Sequence, residues 1–152
     1  ADIPRDPGRA CRLRVRARDA AKRGGELQRA DASAIDRVAE GKAHRLDLPD
    51  QVFSRIHVDD VVGGVLAALG GPAGAYNLSD DLPCSQNRVI EAAASLLGRA
   101  PPPMQTLEEA ALSPAARAFY AENRRVANGK AKRLLGWKPR YPTYVEGLAA
   151  CL

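Results

Sequence analysis

Aromatic residues are scarce in this chain of 152 residues, 5% of the whole, and none precedes Phe53. The arginine-rich start therefore has no ring on which a nucleic-acid base could stack. Cysteines number three, Cys11, Cys84 and Cys151, far apart and without C-x-x-C spacing. Free thiols are expected, with neither a disulfide framework nor a zinc site. The two histidines, His44 and His57, have no cysteine or carboxylate at ligand spacing on a shared face, which argues against a metal site. No apolar run approaches the roughly 18 residues a membrane span needs. The first thirty residues also lack the continuous apolar stretch of a secretory signal, so a soluble cytoplasmic chain is expected. Glycines spaced G-x-G-x-x-G, which let a pyrophosphate approach a helix N-terminus, are absent throughout.

What is present is globular in composition, 45% apolar and 27% charged, and long enough for one domain. The net charge of +5 is unevenly spread: residues 1–32 hold nine basic and five acidic side chains, the remainder fourteen and thirteen. In the first segment Cys11, Leu13, Val15 and Ala17 alternate with Arg12, Arg14, Arg16 and Arg18. Four cations on one face of a strand repel, so the segment needs an anionic partner or stays solvated. Its alanine, arginine, glycine and aspartate bias is also what a GC-rich gene yields in the wrong reading frame. Residues 1–32 are accordingly expected to be a poorly foldable segment, from a frameshift or misplaced start, with a basic binding arm for an acidic partner or nucleic acid as the alternative.

From Ser33 onward, helix caps recur. Ser33 opens a short helix that runs through Glu40 and stops at Gly41, and Ala43 to Leu48 reads as a strand. Phe53 to Val58 reads as a second strand that turns into a helix from about Asp59 to Leu69, with Asp59 or Asp60 as its cap. Gly63-Gly64 inside that helix costs about 1 kcal/mol per glycine relative to alanine, which predicts close packing by another element. Ala75 to Ser79 reads as a buried strand. Ser85 caps a helix with Val89, Ile90, Ala93, Leu96 and Leu97 on one face and Gly98 as a left-handed stop. Pro101 to Pro103 force an extended connector. Two short helices are expected between Leu107 and Asn123, one from Asn128 to Leu135, and a closing one from the Thr143/Glu146 capping box that contains Leu148. Short strands alternating with helices, without internal repeat, define an α/β class.

Three passages carry a family resemblance: Arg55-Ile56-His57-Val58-Asp59-Asp60-Val61, then Ala75-Tyr76-Asn77-Leu78-Ser79-Asp80, then Leu135-Gly136-Trp137-Lys138-Pro139. In order and spacing they resemble the C-terminal half of extended short-chain dehydrogenase/reductases, the NAD-dependent epimerase/dehydratase family, over residues 33–152. The resemblance implies a Rossmann-type fold of which this chain holds the C-terminal, substrate-binding portion, with an incomplete sheet. The complete family enzyme uses NAD or NADP and moves a hydride between nicotinamide and a small-molecule substrate, in some members sugar-derived. A tyrosine with lysine four residues on handles the proton. Asp80, Arg124, Val145 and Leu148 stand at that distance from Tyr76, Tyr120, Tyr141 and Tyr144, so the pair is missing. No cofactor is expected to bind this chain alone, and no residue is assigned a catalytic role.

The substrate-binding candidates are Phe53, Arg55, His57, Arg124 and Arg125. In sugar-nucleotide members an arginine at the position of Phe53 contacts the substrate diphosphate, as a guanidinium pairs bidentately with phosphate oxygens. Phe53 puts a nucleotide-diphosphate sugar in doubt. Arg55, two residues on and on the same strand face, is the alternative cation. His57 reads first as a structural hydrogen-bonding residue, Trp137 as a buried anchor. The pair Arg124 and Arg125 is an anion-site candidate of lesser weight.

Overall fold

Residues 33–152 are described by the computed structural model. The basic-arm and reading-frame expectations for residues 1–32 lie outside them. Six helices and two short strands follow in the order α1 (Ala34–Ala39), β1 (Arg45–Leu46), α2 (Val58–Leu69), α3 (Gln86–Leu96), β2 (Met104–Gln105), α4 (Pro114–Tyr120), α5 (Gly129–Leu135) and α6 (Tyr144–Ala149). The class is α/β, as the sequence indicates.

The core forms where α3 packs between α1 and α6. Its apolar residues are spaced for one helical stripe, and Val89, Ile90, Ala93 and Ala94 meet Ile35 and Val38 of α1 and Leu148 of α6. Helices α1, α3, α4 and α6 are held at their starts as the sequence predicts, whereas Asn128, expected to cap α5, makes no side-chain cap bond. Ser33 and Asp36 form a reciprocal capping box, Ser85 accepts from the Arg88 N–H, Ser113 precedes the first-turn Pro114, and Thr143 and Glu146 form the closing box. Gly98 and Gly136 take φ of 63° after α3 and α5, a conformation only glycine adopts without strain. The last carbonyls of α1 are met from elsewhere: Arg99 Nη1 donates to Ala39 O at 2.7 Å and to Val38 O at 3.3 Å.

The strands are shorter than the sequence suggests. Of residues 43–48 only Arg45 and Leu46 pair, in parallel with Met104 and Gln105 beyond the proline connector. Asn87 of α3 clamps this pair by accepting from Leu46 N at 2.9 Å and donating to Leu46 O at 2.7 Å. Phe53 to Val58 is not a continuous strand; only Phe53 is bridged, to Cys84 on one side and Arg124 on the other. Ala75 to Ser79 forms no strand and only Ser79 is buried, because no described segment lies alongside to complete a ladder. Between Leu107 and Asn123 a turn and one helix replace the two helices expected; Thr106 and Glu109 do exchange capping bonds, but Ala111 at φ 44° ends the turn.

The cap of α2 also differs. His57 is its N-cap, with Nδ1 accepting from Asp59 N at 3.2 Å. Asp60 is buried and reaches away from its own helix, so that its carboxylate accepts the backbone N–H groups of Arg140 and Tyr141. Its carbonyl accepts from Trp137 Nε1 at 3.2 Å. This clasp fastens the buried Trp137 and the chain entering α6 to the start of α2. Gly64 lies against Leu78 and Gly63 near the Trp137 indole, which is the close packing the glycine pair predicts.

Candidate substrate-binding region

Residues 51–55 run between two neighbours. Phe53 exchanges backbone bonds with Cys84 at 3.0 and 3.1 Å, while Ser54 N donates to Arg124 O and Arg124 N to Val52 O, each at 2.8 Å. Side chains extend the seam: Val52 N donates to Asn123 Oδ1 at 2.7 Å and Val126 N to Ser54 Oγ at 2.8 Å. The segment is thereby fixed across two loops, which sets where each candidate side chain goes.

Phe53 is 4% exposed and stacks on Phe119 of α4 with centroids 4.5 Å apart; Tyr120 meets it edge-on at 6.2 Å. Arg55 turns back toward the same seam. Its Nη1 donates to Cys84 O at 3.0 Å, to Phe53 O at 3.2 Å and to Cys84 Sγ at 3.3 Å, and its Nη2 donates to Gln86 Oε1 at 2.9 Å. Arg124 lies over the Phe119 ring at 5.2 Å and pairs with Glu122 at 3.0 Å. Phe53, Arg55 and Arg124 are therefore brought into one aromatic and cationic cluster. Arg125 follows on the exposed surface, outside it. His57 is separate as well, tilted against Tyr141 at 4.2 Å with Nε2 3.9 Å from the Cys151 thiol. Beside the cluster, a shallow depression is lined by Leu48, Asp50, Gln51, Tyr120, Glu122 and Asn123 among others.

Two groups that sequence reasoning passed over lie at this seam. Asp80 is 4% exposed, its N–H donates to Arg55 O at 2.6 Å, and its Oδ1 has no hydrogen-bond partner among the described residues. Burial pushes its carboxyl up to about 6, against the opposing pull of Arg55. Burial likewise pushes up the Cys84 thiol and the Tyr120 phenol. Next in sequence, Asp81 is steered the other way: slight burial works upward, but hydrogen bonds from Lys132 and Asn128 outweigh it and hold the carboxyl below its ordinary value. Lys132 Nζ lies 2.7 Å from Asp81 Oδ2, and Asn128, which makes no side-chain cap for α5, donates to Ser79 O at 2.8 Å and Asp81 Oδ1 at 2.7 Å. The Asp80-Asp81 doublet is the sequence signal that could have drawn attention to both.

Among the described residues no group of three or more His, Cys, Asp or Glu side chains could hold a metal ion, and no helix is long and apolar enough to cross a membrane. The glycine pair at Gly63-Gly64 lies inside α2, packed by Leu78 and Trp137, and not in a turn that feeds a helix.

The described residues have the Rossmann-type fold of extended short-chain dehydrogenase/reductases, the NAD-dependent epimerase/dehydratase family, over part of its length. Among particular relatives, a 3-diazoavenalumate denitrifying reductase from a Streptomyces species is 38% identical over 127 residues, covering 78% of this chain and 40% of the reductase. A functionally unknown protein from Silicibacter pomeroyi DSS superimposes with a TM-score of 0.71 at 41% identity, over 78% of this chain and 43% of that one. UDP-glucuronic acid 4-epimerase from Bacillus cereus, in complex with NAD, shares the fold at 18% identity, with a TM-score of 0.56 over 78% of this chain and 36% of the epimerase. The chain thus spans less than half the length of the relatives it matches. No family model matches it.

Proposed function

We propose that residues 33–152 are the C-terminal, substrate-binding portion of an NAD(P)-dependent reductase, epimerase or dehydratase that acts on a small molecule in the cytoplasm and is not catalytically competent through these residues alone. The observation that carries this reading is the 38% identity to the Streptomyces reductase across most of this chain and 40% of that enzyme. The seam narrows the substrate. Phe53 is buried beneath Phe119, and the Arg55 Nη atoms are committed to two carbonyls, a thiol and Gln86. A diphosphate would have to compete with those bonds for its guanidinium, so the arrangement favours a substrate without one, bound against the aromatic cluster near Tyr120.

Calorimetric titration of the chain with NADH and NADPH is expected to give no saturable signal, because neither the glycine fingerprint nor the Tyr-x-x-x-Lys pair is present. Saturable micromolar binding would contradict the proposal.

A further inference from the structure

Where α6 ends against the cap of α2, a thiol and an imidazole meet outside the seam. Cys151 follows α6 and is exposed, its N–H donating to Leu148 O at 3.0 Å. Its thiol donates to Gly147 O at 3.3 Å, and its sulfur lies 3.9 Å from His57 Nε2. The imidazole is fixed from several sides. Nδ1 accepts from Asp59 N at 3.2 Å, with Asp59 Oδ2 3.8 Å away; the ring tilts against Tyr141 at 4.2 Å, and a Cβ at Gly147 would lie 3.8 Å from its Cδ2. The bond from Asp59 N sets the tautomer. With Nδ1 as acceptor, the neutral ring carries its proton on Nε2, beside the Cys151 sulfur. An open sulfur thus has a fixed N–H donor next to it. Cys84, the other described cysteine, is the opposite case: it is 5% exposed, and Arg55 Nη1 donates to its sulfur at 3.3 Å.

We infer that Cys151 is a modification site for thiol–disulfide exchange with a small disulfide, and that His57 is the hydrogen-bond donor to the reacting sulfurs. Cys151 Sγ attacks one sulfur of R–S–S–R. The Cys151 S–H bond and the reagent S–S bond break, a Cys151–S–S–R bond and an R–S–H bond form, and the proton passes through water. Cys151 is oxidised and the departing sulfur reduced, so the disulfide is itself the oxidant. During the exchange negative charge is shared by the sulfurs in line, and a donor already fixed beside them needs no reorganisation to meet it. The reagent has to be small, because His57 and the Gly147 carbonyl close one side of the Cys151 sulfur.

The test uses the full chain carrying Cys11→Ser, with 2-hydroxyethyl disulfide as the reagent. Tryptic cleavage after Arg140 releases residues 141–152, on which mass spectrometry follows the Cys151 adduct. Each rate is divided by that of free N-acetylcysteine in the same solution. The folded chain is expected to form the adduct about tenfold faster than the same chain unfolded in urea, the effect of one hydrogen bond made in the transition state. Cys84 should react only after unfolding. His57→Asn keeps an oxygen to cap Asp59 N but has no group at the Nε2 position, and should bring the folded rate down to the unfolded one. His57→Gln, whose amide reaches that position, should keep most of the parent rate. A folded rate no higher than the unfolded rate would overturn the inference, as would a rate indifferent to His57→Asn or slowed equally by both variants. Urea melts establish that the variants are folded, and the comparison of folded with unfolded parent decides the matter if one is not.

Discussion

Helices α2 and α3 are of similar length and both are amphipathic or apolar, yet one is finished and the other is not. Ile90 and Ala93 of α3 are 1% and 0% exposed between α1 and α6, whereas Leu66 of α2 is 63% exposed. The α3 stripe is matched by apolar residues on its two neighbours, and its polar face meets Arg45 through Glu91 at 2.7 Å. Among the described residues the α2 surface is matched on one side only. Burial on this scale is worth about 25 cal/mol per Å² of apolar surface, so stability in residues 33–152 is concentrated around α3. The difference separates residues that hold the core together from apolar residues left open among the described residues.

The largest effect should come from breaking the finished side. Ile90→Ala removes a buried branched side chain from the centre of the α1, α3 and α6 cluster and is expected to cost about 2–5 kcal/mol, against at most about 0.5 kcal/mol for Leu66→Ala on the open face of α2. Urea melts of the two variants measure this directly; equal losses would show that α2 is packed in solution after all. The next effect tests how the two sides are joined. Asp60→Ala strips two backbone N–H groups, at Arg140 and Tyr141, of a charged acceptor and loosens the run from Trp137 into α6, at about 3 kcal/mol. Trp137 fluorescence should then shift toward that of an exposed indole at lower urea than in the parent. A melt unchanged by the substitution would remove the clasp from the account.

Much of the finished side was legible from local chemistry. The Ser33, Ser85, Ser113 and Thr143 caps, the glycine stops and most of the α3 stripe depend on residues three or four positions apart and appear where the spacing puts them, but Leu96, expected on that stripe, is 40% exposed. What depends on distant partners was not legible in the same way. Asp60 stands where a capping carboxylate would, but its oxygens serve residues about eighty positions later, and His57 takes over the cap. Met104 and Gln105 follow a triple proline and gave no strand signal, because their pairing is set by Asn87 and the β1 register. The alternation from Ala75 to Ser79 and from Phe53 to Val58 is that of strands, yet a strand exists only beside another. Of the five candidate residues, Phe53, Arg55 and Arg124 lie at the seam while His57 and Arg125 lie outside it, and Asp80 at the seam was passed over. The orientation of the seam residues, with Phe53 inward and Arg55 folded back onto Cys84, follows from long-range pairing that periodicity does not encode.

A smaller effect probes the boundary between the two sides, at Asp80. This carboxylate faces Arg55, Asp81 and Cys84, and keeps one oxygen without a partner among the described residues. Its carboxyl is raised by burial from 3.8 to about 6. Between those values the folded chain retains a proton that the unfolded chain has released, so this group's stabilising contribution is complete below about 4 and is lost as pH rises through about 6. The loss is at most about 3 kcal/mol, because one pKa unit corresponds to about 1.4 kcal/mol. Asp81, held below its ordinary value, works in the opposite sense, losing its contribution as pH falls, so the parent melt alone mixes the two. The informative quantity is the stability of Asp80→Asn minus that of the parent, measured by urea titration from pH 4 to pH 7. It should rise across the window, since the amide carries no charge to desolvate, and level off above it. A difference that stays flat would mean that Asp80 ionises in the folded chain as freely as in the unfolded one, with water or a rearranged Arg55 reaching its open oxygen.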